Sequence, residues 1–384
     1  MTPVRIAMVA GEASGDLLGS RLIEALRRRI PSAAFCGIGG PRMIGAGFDS
    51  WVPQERLAVR GFVEVLRHLR EILAVRREVA RRILAERPQF FVGIDSPEFN
   101  LGLERRLKAA GVRTAHMVSP QVWAWRPGRV RSIGRSVSQL LVLFPFEEAL
   151  YRDAGIGVTY VGHPLADEIP DRVDREAMRV ELRLPARAKV VTVLPGSRQS
   201  EIEMMADAFI GTAKLVARAV PDARFLVPLV TRETRALFEE AVYRCNAREL
   251  PLTLLFGHAR DALAACDVAL AASGTVTLEA ALSHRAMVIA YRVAPLSARV
   301  ARWLVRVPHI GLPNILCGEA VAPEFLQEDA TPENLAQAVV NLLADEPVRR
   351  RIEHRFERLH QELRRDAAER AADALMPLVA PEGG

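Results

Sequence analysis

The chain has 384 residues, of which 50% are hydrophobic and 26% charged, with a formal net charge of +6. That length divides into two domains in place of one core, and no run of eighteen apolar residues is present to form a transmembrane helix. Cys36, Cys245, Cys266 and Cys317 stand apart with no CxxC pair, so neither a zinc site nor a disulfide framework is indicated, and a reducing cytoplasm fits best.

The opening MTPVRIAMVAGEASGD lacks a basic leader, a sustained apolar stretch and a small-residue cleavage site, and reads as mature fold. Val4 to Val9 is a continuous apolar strand, and helical spacing runs from Leu17 to Arg29 with Asp16 as its N-cap. Ala34 to Ile38, Phe90 to Ile94, Thr114 to Val118 and Gln139 to Phe144 read as further strands, and Leu101 to Ala109 as a helix. Near Tyr160, VGHPLADEIPD gathers Gly, Pro and acidic residues into a linker. A second series follows, with strands near Val190 to Leu194, Arg224 to Pro228, Leu252 to Phe256, Val268 to Ala271 and Met287 to Tyr291. From about Pro332 the pattern is helical. Alternation of this kind predicts parallel sheets with ligands at the carboxyl ends of the strands. The expected fold class is α/β: two doubly wound Rossmann-like domains, 1–165 and 166–360, facing each other across a cleft, and a helix within 361–384 crossing back to the first.

Two β-loop-helix motifs in the second half carry the strongest chemical signal. In LPGSR, Pro195 and Gly196 shape a turn, Ser197 can cap the following helix, and Arg198 offers a planar cationic fork to phosphate oxygens. In ASGTVTLEAAL, Ser273, Gly274 and Thr275 open a second helix, and Glu279 can accept from ribose hydroxyls. Read singly, each is also an ordinary turn with a surface arginine or a dipole-complementing glutamate. Together, two helix N-termini suit a nucleoside diphosphate. Neither a Walker loop nor a convincing GxGxxG is present.

The first half carries FVGIDSPEFN, which sets Asp95 directly after a strand, with Glu98 and Asn100 close behind. There Asp95 is either a general base or a turn residue capping the next helix. Gly11, Ser14 and Gly15 form a loop that either approaches a ligand or simply turns the chain. Trp123, Trp125, Arg126, Arg129, Arg131 and Arg135 form an aromatic and basic stretch, read as serving an anionic small molecule or the interdomain region in preference to nucleic acid. No HExxH or DxD occurs, so a catalytic metal is not expected. Residues 57 to 87 are amphipathic and basic. Phe62, Val63, Val65, Leu66, Leu69, Leu73, Ala80 and Ile83 supply apolar surface, and Arg67, Arg70, Arg77, Arg81 and Arg82 the cations. Such a segment either packs on its own domain or lies in a membrane interface.

AMVAGEASGD, GIGGPRM, VGIDSPEFN, VSPQVWAW, VGHP, LPGSR, ASGTVTLE and IGLPNIL follow one another here in the order found in the lipid-A-disaccharide synthases, which are GT-B glycosyltransferases. The chain resembles that family over almost its whole length. The resemblance implies transfer of 2,3-diacylglucosamine from its UDP-activated form to 2,3-diacylglucosamine 1-phosphate, with inversion, giving the β-1,6-linked disaccharide of lipid A and UDP. It implies no metal cofactor and peripheral attachment to the cytoplasmic face of the inner membrane. By position, Asp95 inherits the base role, and Gly196, Ser197, Arg198, Ser273, Gly274, Thr275, Glu279 and Asn314 the donor site. Gly11, Ser14, Gly15, Glu98, Trp125 and Arg126 fall on the acceptor side, and Phe62, Val63, Val65, Leu66, Arg67, Leu69 and Arg70 on the membrane patch. Glu98 stands where the family often has a second aspartate, and Arg60 weighs against insertion within the patch. No nucleic-acid partner is expected, and an oligomer is compatible with the sequence. Another GT-B enzyme, such as a UDP-N-acetylglucosamine epimerase, and a non-enzymatic nucleotide or nucleic-acid binding module are the competing readings.

Overall fold

Burial of the β-branched runs on both faces dictates the architecture, because strands covered on both sides pair in parallel beneath helices. The computed structural model describes residues 4–57, 62–122, 127–293 and 308–379, with the backbone alone at 62–69 and 127. The chain divides into two units, Met1–Asp167 with Leu363–Gly384, and Glu168–Glu362.

The first unit is built on β1 (Arg5–Ala10), β2 (Ala34–Ile38), β3 (Phe48–Ser50), β4 (Phe90–Ile94), β5 (Arg113–Met117), β6 (Gln139–Val142) and β7 (Val158–Tyr160). These form a seven-stranded sheet in the order β3-β2-β1-β4-β5-β6-β7, and the pairs are parallel. Alternation along β1 splits the core: Ile6, Met8 and Ala10 join the cluster with Leu22 and Leu26 of α1 (Ala13–Arg29), while Ala7 and Val9 face the other cluster. That second cluster takes Val75, Val79, Ala80 and Ile83 from α3 (Phe62–Glu86), which follows α2 (Pro41–Gly45), and Leu103 and Leu107 from α4 (Pro97–Ala109). Each such buried aliphatic side chain contributes about 1.5–3 kcal/mol. The rear half of α3 therefore packs on its own domain, including Ala80 and Ile83 of the sequence-read stripe.

Asp16 does not cap α1, which begins three residues earlier, at Ala13. Its buried carboxylate instead accepts from the backbone N–H groups of Gly40, Arg42 and Met43 at 2.9–3.0 Å, tying the GIGGPRM loop to α1.

The second unit carries β8 (Lys189–Leu194), β9 (Ala223–Leu229), β10 (Leu252–Phe256), β11 (Val268–Ala272), β12 (Met287–Tyr291) and β13 (Glu324–Leu326) in the order β10-β9-β8-β11-β12-β13. Its helices include α5 (Gln199–Ala219), α6 (Thr275–Leu282), α7 (Leu312–Cys317) and α8 (Pro332–Ala344). The chain then returns to the first unit, where α9 (Ala367–Leu375) buries Ala367, Ala371, Ala372 and Leu375 in the α1 side of the core. Ion pairs from Arg28 to Glu369 and from Arg29 to Glu369 (2.7 Å) and Asp373 (2.6 Å) line its edge. No described helix is long and apolar enough to cross a membrane.

Candidate functional site

In each unit the strand order reverses once, between β1 and β4 and between β8 and β11. Loops leaving such neighbouring strands diverge to opposite faces of the sheet and open a crevice at its carboxyl edge, where ligands bind. Four of the sequence-read motifs, those around Gly11, Asp95, Gly196 and Gly274, fall at these two points.

In the first unit the loop after β1 holds Gly11, while Ser14 and Gly15, read from the sequence as part of that loop, belong to the first turn of α1; the loop after β4 holds Asp95 and Ser96. The two loops touch: a Cβ at Gly11 would stand 2.6 Å from the Ser96 hydroxyl oxygen. Gln54 fixes the first loop by donating to the Ala10 and Glu12 carbonyls at 3.1 and 2.7 Å. Asp95 (φ 52°) and Ser96 (φ 44°) are consecutive left-handed residues, and Val118, directly after the neighbouring strand β5, has φ 77°. Left-handed backbone at non-glycine residues costs about 1 kcal/mol or more each and persists only where its surroundings enforce it. Here the Asp95 N–H donates to the Met117 carbonyl (2.9 Å), and buried Asn100 donates to the Asp95 carbonyl at 2.8 Å. Asp95 is half-buried, whereas Glu98 is exposed and faces Arg129 at 3.7 Å.

Behind Asp95 lies a pair that sequence reading passed over. Glu104 of α4 and His116 of β5 are fully buried, with Glu104 Oε1 2.7 Å from His116 Nδ1. Gly93 admits the carboxylate, since a Cβ there would lie 2.1 Å from Glu104 Oε1. Burial opposes the imidazolium, yet the facing Glu104 carboxylate, with Asp95 and the Val118 backbone adding to it, holds the His116 pKa above its ordinary value. A histidine inside an apolar strand was the available signal.

In the second unit parallel pairing of Leu194 with Ala271 sets the loops after β8 and β11 side by side. Gly196 takes φ 124°, and a Cβ there would meet Glu201 Cβ at 2.5 Å. Arg198, in place of Ser197, is the N-cap of α5. The cap acceptor comes from Glu201, whose carboxylate accepts from the Ser197 and Arg198 N–H groups (2.8 and 3.2 Å) and pairs with the Arg198 guanidinium at 3.0 Å. That guanidinium remains 76% exposed and so can still meet a ligand. Glu201 holds the anion position at the α5 start.

At the other loop Gly274 (φ 155°) precedes α6, no side chain caps the helix, and nothing lies within 4 Å of the position a Cβ would take. This N-terminus is open to an anion. Glu279 lies one turn on and half-buried; burial raises its pKa, which Arg260 partly offsets. Tyr291, at the end of β12, lies within electrostatic reach of Glu201 and Arg198, and burial raises its phenol pKa. Neither Glu201 nor Tyr291 was legible as a site residue in the sequence.

Asn314 takes a different place. It is fully buried, donating to the Ala322 carbonyl and Glu324 Oε1 (both 2.7 Å) and accepting from Ala322 N–H (2.8 Å). Both of its N–H donors are thus spent inside the chain, so it positions the turn around Gly311 in preference to offering a donor to a ligand. Trp123, Trp125, Arg126 and Arg60 lie outside the described residues, as do the side chains of Phe62, Val63, Val65, Leu66, Arg67 and Leu69. Arg70 is exposed. Among the described residues no three His, Cys, Asp or Glu side chains gather as a metal ligand set.

A sequence model described as lipid-A-disaccharide synthetase matches residues 6–376. The chain belongs to that family. Lipid-A-disaccharide synthase of Dechloromonas aromatica (strain RCB) is 54% identical over 374 residues, covering 97% of this chain and 98% of the relative. That of Chromobacterium violaceum is 54% identical over 373 residues, covering 97% of each. Among solved structures, a UDP-GlcNAc 2-epimerase from Neisseria meningitidis bound to UDP-GlcNAc superposes with TM-score 0.64 at 10% identity over 97% of this chain and 100% of that one. MurG from Acinetobacter baumannii gives 0.58 at 13% identity over 97% and 99%. At such identities the superpositions speak for the fold, which is GT-B. Members of the family are glycosyltransferases that form the lipid A disaccharide.

Proposed function

We propose that this member of the family transfers 2,3-diacylglucosamine from UDP to the 6-hydroxyl of 2,3-diacylglucosamine 1-phosphate, with inversion at the anomeric carbon. What carries the reading is that the family's motifs fall on the switch points of both sheets: the carboxylate of Asp95 at one, two neighbouring helix starts at the other. Asp95 takes the acceptor hydroxyl proton as that oxygen attacks and the bond to UDP breaks. A positioned base of this kind contributes ~10²–10⁴-fold.

The departing diphosphate is received by the starts of α5 and α6 and by the Arg198 fork, so the reading assigns no metal to the reaction. On donor binding the diphosphate displaces Glu201 from the loop N–H groups, and Glu279 accepts from the ribose. Gly11, Ser14, Gly15 and Glu98 lie on the acceptor side. The front of α3 meets the inner membrane at its cytoplasmic face, where acyl chains need not leave the bilayer.

The test is incubation of the purified chain with both lipid substrates and EDTA, read by mass spectrometry. Disaccharide phosphate and UDP are expected. Absence of product overturns the reaction, and product lost on chelation but restored by a divalent cation overturns its metal independence.

A further inference from the structure

A groove of about 560 Å³ runs between α3 and α4, lined by buried Leu103, half-buried Leu73 and the side chains of Arg76, Arg77, Arg105 and Arg106. No carboxylate lines it. Among the described residues none of these four guanidinium groups has an acidic partner, in contrast with Arg56 on Glu71 and Arg81 on Glu78 nearby. Arg76 is half-buried and lies against the α4 backbone, where Gly102 makes room: a Cβ there would stand 2.4 Å from Arg76 Nη1. Burial and the neighbouring Arg105 charge both push the Arg76 pKa down. Four cations along one groove, with no counter-charge lining it, repel one another and attract an anion that the chain itself does not supply. None of the residues that line the groove belongs to the loop that carries Asp95.

We infer that this groove is a built site for the phosphate of an anionic phospholipid headgroup. It rests on the reading above that the front of α3 meets a bilayer, and adds a specific contact to it. Arg76 and Arg77 follow Leu69 by two helical turns, about 10 Å of rise. With the rear half of α3 packed on its own domain and only its first turns entering the acyl boundary end-on, these guanidinium groups stand at headgroup depth. Leu73 lies between, suited to the apolar edge of the headgroup region. Arginine forks match the paired oxygens of a phosphodiester.

The experiment is binding of the full chain to vesicles of phosphatidylcholine alone or mixed with phosphatidylglycerol. Near a membrane each cation contributes about fivefold in affinity. Arg76→Gln with Arg105→Gln is expected to lower affinity for the mixed vesicles about 25-fold and leave weak binding to phosphatidylcholine unchanged. Gly102→Ala, which keeps every charge but displaces the Arg76 head, is expected to cost several-fold. The equal-charge control Arg81→Gln with Arg82→Gln is expected to cost far less than the groove pair. Arg76→Gln alone is expected to melt no lower than the parent.

Equal losses in groove and control pairs with no effect of Gly102→Ala would overturn the inference in favour of diffuse charge. Release of bound chain by inorganic phosphate beyond the effect of chloride at equal ionic strength would overturn it in favour of a soluble anion. A raised acceptor KM in detergent micelles would assign the groove to substrate. Disaccharide synthesis in micelles is expected unchanged in all these variants, so failure of the catalytic reading and of this one are read separately.

Discussion

The two carboxyl edges solve the same backbone problem in opposite ways. In the first unit the left-handed positions after β4 and β5 are Asp95, Ser96 and Val118, none of them glycine. Neighbours hold them there: the Met117 carbonyl and buried Asn100 beneath Asp95, with the Glu104 and His116 pair packed behind. In the second unit the positive φ values of the loops after β8 and β11 fall on Gly196 and Gly274, with no such buried support. Where a side chain must present a reactive oxygen, the position cannot be glycine and the strain is borne by the surroundings. Where backbone N–H groups themselves form the site, glycine relieves the strain and lets a ligand approach.

The sharpest way to break this contrast is Asp95→Asn. Asparagine accepts the left-handed conformation readily, so Tm is expected to hold while kcat falls about a thousandfold; retained turnover would remove Asp95 from the chemistry. Arg198→Ala is expected to lower kcat/KM about a hundredfold without moving Tm, because its exposed ion pair with Glu201 adds little to stability. Gly196→Ala should act on both, costing about 1–3 kcal/mol in denaturant unfolding and weakening donor binding in a UDP titration. Unaltered stability there would mean that the turn does not need glycine. Glu201→Ala removes the acceptor from the α5 start and is expected to cost about 1 kcal/mol while UDP affinity is kept or improved. A large loss of affinity would make Glu201 a ligand residue in place of the group that UDP displaces.

The smallest effect compares the units through one histidine of lowered pKa in each. Burial lowers His163 to about 4 in the first unit, and burial together with His360 lowers His284 to about 4 in the second. An unfolded imidazole titrates near ~6.5, so between about 6.5 and 4 the unfolded chain binds protons that the folded chain refuses. Stability is therefore expected to fall as pH drops through that window and to level below it, as far as these groups are concerned. His163→Gln should flatten part of the Tm profile recorded from pH 7 to 4; an unchanged profile would show that His163 is not one of the groups responsible.

The five-residue strands were legible from the sequence: Ala34 to Ile38, Phe90 to Ile94, Met287 to Tyr291 and the less buried Leu252 to Phe256 stand at the residues read for them. Apolar β-branched runs bounded by turn residues leave little choice. The three-residue edge strands β3, β7 and β13 were missed, being too short to show a period. The α1 start was read late because Asp16 resembles a cap, and only tertiary structure reveals that its acceptors serve Gly40, Arg42 and Met43. Site loops announce themselves by Gly, Ser and Pro, whereas Glu201, Tyr291, Glu104 and His116 look like any polar residue near a helix or strand. Asn314 was legible as a motif residue, but its inward-facing amide was not.

Because α9 fills part of the hydrophobic interior around α1, the amino-terminal lobe is completed by residues made more than two hundred positions after its last strand. On the ribosome the inserted second lobe, whose sequence is continuous, can close first. Until α9 emerges, the α1 surface awaiting Ala371, Ala372 and Leu375 stays uncovered, a period in which a holdase would find apolar surface to grip.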